Sequence, residues 1–142
     1  MSAAAANLTR RLADANLTKT KALPAAAAAN YSNSIDLGQT TLGPAADHIE
    51  VEISIPATPA LVDDKTIILT LKDSADDSTF AAIPAVATLT QTGAGGAGAA
   101  AASRRFKLPP STRRYLRLDA AVLTAGGDNT AVSYTLKVFP NQ

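Results

Sequence analysis

Catalysis or metal binding in this chain would have to start from His48, its single histidine. It opens His48-Ile49-Glu50-Val51-Glu52, so an imidazole and two carboxylates can be drawn around one metal ion. The spacing argues against that drawing. Side chains two apart on a flat strand stand about 7 Å from one another, whereas zinc needs each ligand within about 2.1 Å. The alternation therefore predicts a solvated or interface face and no metal site. Asp63, Asp64, Asp73, Asp76 and Asp77 lie in two turn-like segments that lack the alternating ligands, central glycine and terminal glutamate of an EF-hand loop. Aspartates so placed are expected to accept hydrogen bonds from their own backbone amides. A glycosidase pair would need one acid desolvated in a cleft, and with six aromatics in the chain no aromatic-lined cleft is expected. A nucleophilic serine or threonine would have His48 as its one candidate base, and no strand-turn-helix serine elbow is present. Residues 93–98 are glycine-rich but lack the Lys-Ser/Thr pair of a phosphate loop. With no cysteine, disulfides, thiolate zinc sites, iron-sulfur ligation and thiol nucleophiles are excluded together. The expectation is no catalytic residue, no metal and no cofactor: not an enzyme.

Binding is better represented. Arg104, Arg105, Lys107, Arg113, Arg114 and Arg117 are six basic residues in fourteen positions with no acid among them. Arginine forks grip carboxylates bidentately, so this cluster suits an acidic protein partner. It suits equally the outward positions of two strands, where charge discourages edge-to-edge association. Both readings stay open. Nucleic acid is not the expected partner, because 13 basic residues are balanced by 12 acidic ones and Tyr115 is the one exposed aromatic expected beside the cluster.

Elements to position these residues follow from period-two patterning. His48 to Ile55 alternates polar and apolar over eight residues, placing four β-branched side chains on one strand face and two carboxylates on the other. Further strands are predicted over 35–38, 66–72, 86–91, 104–108, 114–123 and 130–139, each bounded by Pro, Gly, Asp or Asn. Such spacing indicates an antiparallel sandwich or barrel with no helix of any length between the strands. Gly126-Gly127-Asp128-Asn129 is expected to close the last two strands into a hairpin. Residues 93–102 carry nothing larger than a methyl group and are expected to form a long mobile loop. Hydrophobic residues make up 46% of the 142, but 31 are alanine, so large core-builders amount to about a quarter of the chain and one thin core is expected. That core should hold Ile49, Val51, Ile53, Ile55, Leu69, Leu71, Phe106, Leu116, Leu118, Leu136 and Val138.

The opening differs in character. Residues 1–30 hold 12 alanines, four basic residues and one acid, a net charge of +3, against −2 for the remaining 112. Leu8, Leu12 and Ala15 would share one helical face, with Ser2 as N-cap, over about residues 3–15. Alone, a helix of that length is marginal. Residues 1–32 are thus expected to be a flexible, alanine-rich, basic arm, with Arg10, Arg11, Lys19 and Lys21 as its contact residues, and residues 33–142 the folded domain. Asn7-Leu8-Thr9-Arg10 recurs as Asn16-Leu17-Thr18-Lys19, and two copies do not make a repeat array. No apolar run reaches the roughly 20 residues needed to cross a bilayer, and the order of charge and apolar residues at the start is not that of a secretory signal, so neither membrane nor export is expected.

Asn33-Ser34-Ile35-Asp36-Leu37-Gly38, residues 67–77 with their aspartate-rich end, Arg105-Phe106-Lys107-Leu108-Pro109-Pro110, and Arg114-Tyr115-Leu116-Arg117-Leu118 together resemble the capsid cement, or decoration, proteins of tailed bacteriophages typified by the Bbp16 family. The likeness covers about residues 33–139. It implies a jelly-roll-like all-β sandwich on the outer surface of an icosahedral head. There the protein would be a homo-oligomer, dimer or trimer, clamping neighbouring major capsid protein subunits, with Arg10, Arg11, Lys19, Lys21, Arg104, Arg105, Arg113, Arg114 and Arg117 as candidate interface residues. The segment Arg114 to Leu118 also looks like a strand of discoidin-type carbohydrate-binding sandwiches, which makes a carbohydrate-binding module the alternative. The missing tryptophans count against it, because sugar sites use aromatic platforms.

Overall fold

Strands dominate the described residues. The computed structural model describes residues 17–41, 43–83 and 88–140, and among them ten strands form. They are β1 (Thr18–Ala22), β2 (Ala29–Tyr31), β3 (Ile35–Thr41), β4 (Ile49–Ile55), β5 (Thr66–Ser74), β6 (Ala81–Ala82), β7 (Thr88–Thr92), β8 (Ala102–Lys107), β9 (Arg113–Val122) and β10 (Ser133–Pro140), with one 3₁₀ helix (Gly43–His48) leading into β4. Residues 86 and 87 of the strand expected at 86–91 lie outside the described residues.

The pairings make two antiparallel sheets. The first runs β1-β10-β4-β8; the second is built around β9 and β5, with β2 and β3 both along one side of β9, and β6 and β7 both along the far side of β5. Counting each such pair as one position, the ten strands fill eight positions, ordered 1-8-3-6 and 2-7-4-5. That is the strand order of a jelly roll, as the resemblance implied. Between the sheets lie nine of the eleven expected core residues, with Ile49 and Phe106 packed half-buried at the margin.

Three expectations are corrected. First, β9 and β10 are not a hairpin: β9 pairs with β2, β3 and β5, whereas β10 pairs with β1 and β4. The Gly126 to Asn129 segment carries the chain from one sheet to the other. There Gly126 O accepts from Val62 N at 3.2 Å, and buried Asn129 donates through Nδ2 to Gly126 O at 3.1 Å.

Second, residues 93–102 do not form a loose loop. Thr58 and Ala99 exchange two backbone hydrogen bonds of 2.9 and 3.1 Å, and Gly96 N donates to Asp63 Oδ1 at 2.9 Å. Beneath them Gln91 is buried; its Nε2 donates to Pro56 O at 3.0 Å and Ala100 O at 2.8 Å, and its Oε1 accepts from Thr58 Oγ1 at 2.9 Å. Gly98 has φ +72°, and a Cβ there would lie 1.9 Å from Thr58 O. The missing side chains are what let these backbones meet. Gly98→Ala should therefore cost about 1–3 kcal/mol from the left-handed backbone and the displaced Thr58 carbonyl. Urea unfolding of the two proteins checks this; an unchanged midpoint would show that the contact is not made.

Third, the boundary expected at residue 32 falls inside the folded body. β1 pairs residue for residue with β10, Thr18 opposite Lys137 through Ala22 opposite Ser133, and β2 pairs with β9. Leu23 is in the core. A polar clasp ties this stretch down: buried Tyr134 donates its hydroxyl to Asn30 Oδ1 at 2.7 Å, and Asn30 Nδ2 donates to Ala22 O at 2.8 Å. Burial pushes the Tyr134 hydroxyl well above the ordinary phenol range. The helix expected over 3–15, like Arg10 and Arg11, lies outside the described residues.

Candidate functional site

Because β8 and β9 belong to different sheets, the basic cluster divides. Arg104, Arg105 and Lys107 stay with the first sheet, and Arg113, Arg114 and Arg117 go to the second. The second group is engaged at home. Arg113 donates from its backbone N to Asp73 Oδ2 at 2.9 Å and from Nη2 to Asp73 Oδ1 at 2.9 Å, closing over a carboxylate that is nearly buried. Arg114 forks onto Asp36 at 2.8 and 2.9 Å, and that guanidinium, helped by the Gly38 amide, holds the Asp36 carboxyl below its ordinary value. Arg117 forks onto Asp119 at 2.7 and 3.2 Å, and Lys72 reaches the same carboxylate at 3.0 Å.

On β8, Arg105 pairs with Glu50 and lies 4.2 Å from the Phe139 ring centre. Arg104 donates to Thr88 O at 3.0 Å and stands 5.5 Å from the Phe106 ring. Among the described residues Arg104 and Lys107 on β8, and Lys19 and Lys21 on β1, make no ion pair. These four occupy the two outer edges of the first sheet. Lys19 and Lys21 pair with Leu136 and Tyr134, and Arg104 with Ile53, so all three sit on the core-facing side at the rim, a placement that resists edge-on strand addition. In the strand register Glu50 stands opposite Lys107 and Glu52 opposite Arg105 across β4 and β8, while His48 ends the 3₁₀ helix exposed. Among the described residues no three His, Cys, Asp or Glu side chains are grouped to hold a metal ion.

A second feature was not visible in the sequence. The Arg117 guanidinium is stacked between two rings, 3.9 Å from the Tyr31 centre and 4.2 Å from that of Phe80. Tyr31 comes from β2 and Phe80 from the turn after β5, and Arg117 is far from both in sequence. Beside this stack opens a cleft of about 400 Å³, floored by Arg117, with Tyr31 to Ser34 on one wall and Asp77, Ser78 and Phe80 on the other. Tyr115, the aromatic expected beside the cluster, stacks instead with Arg114 at 5.2 Å.

Asp76 shapes the second wall. Its Oδ1 accepts from the Thr79 amide at 3.0 Å, from Ser74 Oγ at 2.9 Å and from the Ser78 amide at 3.0 Å, which lowers its pKa from 3.8 to about 2. These are the self-capping bonds expected of the aspartate turns. A depressed carboxylate contributes its ordering above the unfolded value and loses it as pH falls through the folded one. The turn should therefore stay intact down to about pH 4 and loosen as pH falls through about 2. The Ser78 and Thr79 amide resonances should titrate together near that lower value; a midpoint at the ordinary 3.8 would show that the two hydrogen bonds do not form.

Comparison with known proteins places these features. The Bbp16 family model matches residues 6–138. Among solved structures, the PBSX exported protein XepA is similar at 15% identity and a TM-score of 0.53, over 87% of this chain and 36% of XepA. The chain thus spans about a third of that protein, and the likeness is one of fold. A carbohydrate-binding module specific for non-crystalline cellulose is similar at 11% identity and a TM-score of 0.46, over 89% of this chain and 73% of the module, a score too low for any conclusion. No curated protein matches the sequence.

Proposed function

We propose that this chain, which belongs to the Bbp16 family and with it to the structural proteins of bacteriophages, is a capsid cement protein. It binds the outer surface of the head and bridges neighbouring major capsid protein subunits. The observation that carries this reading is the placement of charge. The arginines of β9 are consumed by Asp36, Asp73 and Asp119, whereas Lys19, Lys21, Arg104 and Lys107 keep their charge along the two edges of one sheet. Arg10 and Arg11 precede β1 by eight and seven residues and add to the positive charge leading into it. Cations spaced across a rigid sheet suit acidic side chains on two adjacent subunits, and arginine holds a carboxylate in a fixed geometry.

Each contact is weak, because exposed ion pairs contribute about 0.2–1 kcal/mol. A homo-oligomer, dimer or trimer, repeats them, and linked contacts can exceed either single affinity by about 10² to 10⁴. Phage heads lacking this protein test the reading. Wild type should co-sediment with them, and less so at high salt. The double variants Lys19→Glu with Lys21→Glu, and Arg104→Glu with Lys107→Glu, should keep their thermal unfolding and bind at least about tenfold more weakly, a loss of roughly 1.4 kcal/mol. Full occupancy by both double variants would overturn the proposal.

A further inference from the structure

We propose that the cleft between Tyr31 and the turn carrying Asp77 and Phe80 binds an uncharged oligosaccharide. This second activity lies on the outer face of the second sheet, away from the cationic edges of the first.

The platform is built in advance. Tyr31 is 56% exposed, yet its ring is held by the Arg117 guanidinium at 3.9 Å. The guanidinium is in turn fixed by Phe80 behind it and by the fork to Asp119, which Lys72 also anchors. A ring that is both exposed and immobile loses little side-chain freedom when a ligand stacks on it.

The rim is polar and unoccupied by internal bonds. Among the described residues the side chains of Asn33, Ser34, Asp77 and Ser78 make no hydrogen bond, although all four line the cleft. Asp77, in the cleft lining, is held at φ +60°, in the left-handed region. A pyranose ring offers an apolar C–H face to an aromatic ring and hydroxyls to carboxylate, amide and serine groups around it, the combination of surfaces found here. About 400 Å³ lies within the usual range of small-ligand sites.

Charge decides between ligand classes. The positive charge of Arg117 is neutralised by Asp119, and the remaining charged group on the wall, Asp77, is negative. The cleft therefore does not attract a phosphate or an acidic peptide, and the unbonded amide and hydroxyl groups of Asn33, Ser34 and Ser78 favour a neutral polyol over a cation.

The test uses the full chain and neutral tetrasaccharides built from glucose, galactose, mannose or N-acetylglucosamine, followed by NMR. At least one probe should shift the resonances of Tyr31, Asn33, Ser34, Asp77 and Ser78 selectively. Tyr31→Ala should weaken that binding by about fivefold, the contribution of one ring face. Asp77→Asn, an exposed turn substitution, reads the same site should Tyr31→Ala fail to fold. Capsid co-sedimentation of Asp77→Asn should equal that of wild type, so loss of sugar binding and loss of capsid binding are separate outcomes. The inference is overturned if no probe shifts these residues at millimolar sugar, if the folded variants bind the sugar as tightly as wild type, or if a lysine-rich peptide rather than a sugar occupies the cleft.

Discussion

A chain that begins at Asn33 will not fold into this sandwich, whereas one that begins at Leu17 will. Removing residues 1–32 deletes β1 and β2, and with them the neighbours of β10 and β9. Leu23 leaves the core, and Tyr134 loses the Asn30 carbonyl that accepts its hydroxyl. Ser32, itself buried, also goes; its amide donates to Leu118 O at 2.9 Å and its hydroxyl accepts from Leu118 N at 3.1 Å, in the middle of the second sheet. Burial of Leu23 contributes about 1.5–3 kcal/mol and each lost buried hydrogen bond about 1 kcal/mol. The inner faces of β10 and β9 then stand beside an open edge. With the ladder bonds of β1 and β2 lost as well, the total is comparable to a typical stability of about 5–15 kcal/mol, and the domain is expected to unfold. Far-ultraviolet circular dichroism and thermal melts of the two chains check it. A cooperative melt with strand content in the chain starting at Asn33 would show β1 and β2 to be dispensable.

Ile53→Ala should cost about 2–5 kcal/mol. Ile53 is fully buried in β4 and faces inward between Leu136 on β10 and the stem of Arg104 on β8. Leu136 is itself fully buried and β4 is paired on both sides, so the void left by truncation cannot close cheaply. Glu52, one residue away, points to the opposite face, and Glu52→Ala should change stability by no more than about 0.5 kcal/mol. The contrast between adjacent positions is the test, read as denaturation midpoints. Comparable costs at both would mean that the register of β4 is shifted, since a slip of one residue exchanges the two faces.

How far the sequence reveals this molecule depends on whether a feature is local. The alternation in β4, β5, β9 and β10 states which side chains face inward, and that expectation holds because burial on one face demands it. Alternation does not state which strand lies alongside, so the glycine-rich segment between β9 and β10 read as a hairpin turn when it is a crossing between sheets. β1 carries no alternation: Thr18-Lys19-Thr20-Lys21 is an edge strand whose long side chains reach water past the rim. Alanine and glycine in 93–102 looked unable to pack, yet backbone contact needs small residues, and the signals that held the segment were buried Thr58 and Gln91. Arg117 was visible as a candidate; its rings were not, because Tyr31 and Phe80 reach it through the second sheet rather than along the chain.

The pairing of Thr18 with Lys137 joins residues 119 apart, the first strand with the last. Synthesis proceeds at about 5–20 residues per second, so β1 waits at least several seconds on the ribosome before its partner exists. Closure is therefore a late, non-local event, of the kind that takes roughly milliseconds to seconds once the whole chain is available. Throughout that wait β4 lacks β10 as a neighbour, and once β10 is made a β1 from a second molecule competes for the place beside it. Exchange of β1 between two molecules should consequently grow with the square of concentration while proper closure does not, and the yield of monomeric rolls from dilution refolding should fall as protein concentration rises.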